Sequence, residues 1–106
     1  MRILLDEDLP RRLAALLVGH EVSTDQRSAW SGIKNGKLHA LADAKFDVFL
    51  TMDGNIEFQQ NFATLPIAAL VVEAASNRSE HLVPLVPDIL QTLNHLPQKS
   101  LRRVGT

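Results

Sequence analysis

Ile3-Leu4-Leu5-Asp6-Glu7-Asp8-Leu9-Pro10 is a short apolar run that stops abruptly at three acids. A second run, Val48-Phe49-Leu50-Thr51-Met52, also delivers an aspartate, Asp53. Continuous apolar runs of this length are the mark of strands buried on both faces, as in parallel sheets. Open parallel sheets hold their ligands beyond the carboxyl ends of the strands. Two such strands side by side would therefore bring Asp6 and Asp53 to one rim. Converging carboxylates repel, and either a shared proton or a hard cation such as Mg²⁺ relieves the repulsion.

Working outward, residues 2–5 form the expected first strand, and Pro10 marks a helix start, with Asp8 placed mainly as its cap. Leu9, Leu13, Leu16 and Leu17 fall on one helical face, which Gly19 ends. His20 to Thr24 is a short strand, the segment around Trp30-Ser31-Gly32 a loop, and residues 36–45 a second helix. Val48 to Met52 is the third strand, closed by an Asp53-Gly54 turn. Residues 55–64 are polar, suiting a short helix or an ordered loop. Ile67 to Val72, six residues without a charge, predicts a central strand. From Ser79 to Leu96 the positions Leu82, Val86, Ile89, Leu93 and Leu96 step by three or four, predicting the longest helix. Pro84 and Pro87 conflict with that continuity, because an interior proline kinks a helix. A terminal strand is expected near Leu101 to Val104. The alternation of strands and helices predicts an α/β fold with a mainly parallel sheet of four to five strands flanked by helices.

The 106 residues, 45% of them hydrophobic, suit one domain spanning 1–106. Eleven Lys and Arg against twelve Asp and Glu give a net charge of -1, so nucleic acid would have to bind through a local patch. With no cysteine, disulfides, thiol catalysis and cysteine-ligated zinc are excluded. Three apolar residues after Met1-Arg2 do not make a signal peptide, and no run reaches membrane-spanning length. The expectation is a soluble cytoplasmic chain.

For chemistry, Asp6 and Asp53 are the first metal ligands, with Glu7 or Asp8 assisting. Alternation along a strand points Asp6 and Glu7 to opposite faces unless the chain has already turned. His20, His39, His81 and His95 have no ligand spacing, and the glycine-rich phosphate loops and the GxSxG elbow are absent. The amides Asn55 and Gln59-Gln60-Asn61, just past Asp53, either line the site or knit a loop.

Taken in order, Ile3 to Pro10, Trp30-Ser31-Gly32 with Lys34-Asn35-Gly36, Asp47 to Asp53 with Asn55 and Gln59-Gln60-Asn61, and Ser76-Asn77-Arg78 resemble the small bacterial PIN-like proteins related to VapC toxins. The resemblance covers nearly the whole chain. It implies a compact α/β domain whose acids bind Mg²⁺ or Mn²⁺ and cleave RNA, often as a toxin held by an antitoxin protein encoded beside it. Asp6 matches the first-strand acid, Glu7 the acid that often follows it, and Asp53 the acid closing the later strand. Arg78 or Lys37 would lie near the substrate phosphate. Lys37 stands where the family usually has a glutamate, and a cation there weakens the field that holds a metal.

Three functional readings are open: a metal-dependent ribonuclease, a catalytically weakened PIN-like module that binds protein or RNA, and a response-regulator receiver with Asp53 as phosphoacceptor. The last needs a lysine ending its final strand, and none stands there. A homodimer is compatible with the small size and an apolar edge helix.

Overall fold

The computed structural model describes residues 1–6, 8–24, 46–52, 67–97 and 100–105. Among these, β1 is Arg2–Leu5, α1 Leu13–Leu16, β2 Glu21–Ser23, β3 Val48–Thr51 and β4 Ala68–Glu73. Two helices, α2 (Ser79–Leu82) and α3 (Val86–Asn94), follow with a 3₁₀ turn at Val83–Leu85 between them, and β5 is Leu101–Gly105. The expected helix over 36–45 and the polar segment 55–64 lie outside the described residues.

The five strands form one parallel sheet in the order β2-β1-β3-β4-β5. Chain order runs outward in opposite directions on the two sides of the β1/β3 seam. That seam is the topological switch point, where ligands of open parallel sheets settle. Register places Leu5 opposite Leu50 and Thr51 opposite Val71.

The apolar runs are continuous because both sheet faces are covered. Ile3, Leu5, Val48, Leu50, Leu70, Val72 and Val104 pack with Leu9, Leu13, Leu17, Leu82, Ile89 and Leu93 into one core. Leu4, Phe49, Ala69 and Val71 alternate with these on the strands and are equally buried. At the amino end of the sheet, Arg2 donates its backbone N–H to Asp47 Oδ2 at 2.8 Å, and Asp47 N–H returns a bond to Arg2 O at 2.8 Å. The Arg2 guanidinium also stands 5.0 Å from the Phe46 ring centroid.

Two helical expectations change. The first helix is one turn only, because Leu13, Ala14 and Ala15 donate to the carbonyls three residues back, Pro10, Arg11 and Arg12, a tight 3₁₀-like pattern. Leu9, Leu13 and Leu17 are buried as expected, whereas Leu16 turns outward. Asp8 is not a cap: Arg12 holds that position and no side chain caps the helix. The predicted helix over 79–96 keeps its apolar face but breaks in two. Pro84 and Pro87 each sit in a first turn, where the missing N–H has no helical partner to lose.

Candidate functional site

Asp6 is the first residue past β1. Its N–H extends the ladder to Leu50 O at 2.8 Å, and its carbonyl accepts Leu9 N–H at 3.0 Å, closing a turn that reverses the chain toward α1. This turn removes the alternation expected of a continuing strand. Asp8 is thereby carried back to the side occupied by Asp6, and the two acids meet at the end of β3.

Thr51 is the meeting point. Fully buried at the last position of β3, it donates its hydroxyl to Asp6 Oδ2 at 2.6 Å, and the same oxygen lies 3.4 Å from Asp8 Oδ2. A hydroxyl has one proton, so the shorter bond takes it. Asp8 is held instead by Met52 N–H, at 3.2 Å from Oδ2 and 3.4 Å from Oδ1. Asp6 is 8% exposed and Asp8 half-buried, so their repulsion is incompletely screened by water.

This donor set suits a small hard cation. Mg²⁺ is commonly bound by one or two carboxylates, with waters and substrate oxygens filling the octahedron. Asp6 and Asp8 supply two carboxylates at one rim, although no group of three or more His, Cys, Asp or Glu side chains converges among the described residues.

Asp53, the partner expected for Asp6, directly follows Met52 and lies outside the described residues, as do Glu7, Lys37 and Asn55. Arg78 is exposed beyond β4. Its N–H donates to Ser76 Oγ at 3.1 Å and its guanidinium pairs with Glu80 at 3.5 Å, not with either acid. Ser76 Oγ also lies 2.6 Å from His81 Nδ1. Sequence reasoning missed Thr51 and the Met52 amide. The signal was present in the chain: aligning Leu5 with Leu50 puts Asp6 beside Thr51, a hydroxyl at the end of an otherwise apolar run.

No protein-family model, curated protein or solved structure matches the chain. Among the described residues, fold and site together define an α/β protein with a five-stranded parallel sheet and an acidic pair at its switch point. None of its described helices is long and apolar enough to cross a membrane.

Proposed function

We propose that the chain is a metal-dependent ribonuclease of PIN-like type, acting as the toxin of a toxin–antitoxin pair. The observation that carries this reading is the convergence of Asp6 and Asp8 on Thr51 at the β1/β3 seam. Asp6 and Asp8 would hold Mg²⁺ or Mn²⁺, with Asp53 the further acid that the PIN-like resemblance supplies. When bound, the ion contributes Lewis-acid polarisation of a phosphodiester and activation of water. The protein's own share is positional. The Thr51 hydroxyl fixes the Asp6 carboxylate, the Met52 amide fixes Asp8, and burial of Asp6 keeps bulk water from competing for it. Arg78 and Lys37 would hold the substrate phosphate, with Asn55 as a neutral hydrogen-bonding partner.

The test is cleavage of end-labelled single-stranded RNA with Mg²⁺, with Mn²⁺ and with chelator. Metal-dependent cleavage that Asp6→Asn abolishes is expected. Thr51→Val should lower it roughly 10–100-fold, the scale of losing a group that orients a metal ligand. Equal cleavage by the parent and Asp6→Asn, or cleavage that survives chelator, overturns the reading. An antitoxin should be encoded in the adjacent reading frame and should suppress the activity.

Lys37 favours a second reading, a PIN-like module that binds RNA or protein without cutting; stable binding without cleavage by either metal selects it. The receiver alternative shares this strand order with flavodoxin-like folds. However, β5 reads Leu101-Arg102-Arg103-Val104-Gly105, without the lysine that alternative needs.

A further inference from the structure

Because the five described strands are all parallel, the segments leaving β1, β3 and β4 emerge at one edge of the sheet. Behind the acidic turn on the β1 side come Arg11 and Arg12, both exposed, and neither makes an ion pair among the described residues. Two strands away, beyond β4, Ser76 organises a second basic group. Its hydroxyl oxygen accepts Arg78 N–H and engages His81 Nδ1, which fixes the ring and leaves Nε2 at its far edge. Among the described residues the Arg78 guanidinium pairs with Glu80, at 3.5 Å with 75% and 65% of the two side chains exposed. Such a pair yields readily to a phosphate, which offers arginine a bidentate fit.

We infer that single-stranded RNA lies across this edge, gripped by Arg11 and Arg12 on one flank and by Arg78 and His81 on the other, so that its backbone passes over Asp6 and Asp8. The choice of RNA rests on the ribonuclease reading; the path rests on the placement of the three arginines and the His81 ring. Two strand spacings separate β1 from β4, roughly 10 Å. A single strand can set phosphates on both flanks over that span while one between them meets the acids. An A-form duplex sets its two backbones across a wide, shallow groove. With a net charge of -1, the chain has no overall attraction for a polyanion, so removing these few arginines should be felt strongly.

The experiment is fluorescence anisotropy of a labelled oligouridylate in chelator, where cleavage is silent, over a salt series. Each arginine–phosphate pairing removed should flatten the plot of log affinity against log salt by about 0.7. Arg11→Ala/Arg12→Ala should therefore flatten it by about 1.4, and Arg78→Ala/His81→Ala by about 0.7. Circular dichroism should be unchanged, since all four side chains are exposed, and unlabelled duplex RNA should compete poorly. Parental slopes in both double variants, or duplex competing as well as single strand, overturn the path. Metal-dependent cleavage with unaltered slopes sinks the path and spares the nuclease reading. Flattened slopes without cleavage by either metal do the reverse.

Discussion

Thr51 has one proton to give and two carboxylates within reach, and this shortage defines the site at the scale of single residues. Removing the hydroxyl leaves the buried Asp6 carboxylate without its 2.6 Å donor. Thr51→Val, nearly equal in shape, should lower unfolding free energy at neutral pH by about 1.5–3 kcal/mol, the usual worth of a hydrogen bond to a charged group. Thr51→Ser, which keeps the hydroxyl, should cost much less. Urea titration of the two variants checks the contrast, and equal losses would mean that packing matters there rather than the bond. Asp6 was legible in the sequence because a strand end is visible as the point where apolar residues stop. Asp8 was read there mainly as a helix cap and only secondarily as an assisting carboxylate. A Pro10 two residues downstream favours a cap, and only the Asp6–Leu9 turn, closed by a backbone bond, reveals that Asp8 faces β3.

Among the elements, strands read more faithfully than helices. The apolar runs at 3–5, 48–52 and 67–72 each hold a strand to within a residue or so, since burial on both faces leaves no room for polar interruptions. Helix periodicity located the face of α2 and α3 correctly, because Leu82, Ile89 and Leu93 are all buried. It could not show continuity, since a broken helix with both pieces packed on the same core retains the same spacing. The last element carries its own constraint. Gly105 has φ +113° in register with Glu73, and a Cβ there would stand 1.9 Å from the Glu73 carbonyl oxygen. Gly105→Ala should destabilise the fold by about 1–3 kcal/mol through strained backbone and a displaced strand end. Hydrogen exchange should report the damage first at the β4–β5 seam; unchanged protection there would contradict the close approach.

The whole molecule separates structural ties from chemistry. At the amino end of the sheet, Arg2 and Asp47 lock β1 to β3, and Glu21 N–H bonds Met1 O at 2.9 Å. His20, beside that last bond, has a buried Nδ1 that finds no hydrogen-bond partner among the described residues. Burial, and then the nearby Met1 ammonium, holds its pKa below the ordinary 6.5. The folded state thus resists a proton that the unfolded chain accepts near pH 6.5. Stability should be fully present above that pH and decline as pH falls below it, until the folded pKa is reached. His20→Leu should remove this part of the acid sensitivity. Urea midpoints at about pH 7.5 and about pH 5.5 measure it, and an equal drop in parent and variant would exclude His20 as the cause.

The pairing of Asp6 with Thr51 spans 45 residues of chain. Nothing near Asp6 in sequence can supply that hydroxyl or the Met52 amide. During synthesis the first acids leave the ribosome long before their partners exist, and they stay an ordinary solvated acidic stretch until β3 emerges and docks beside β1. The site therefore comes into being in one event, the closing of the β1/β3 seam. Anything that holds that seam open, whether an incomplete chain or a partner bound along the β1 edge, withholds the site as a whole rather than weakening it by degrees.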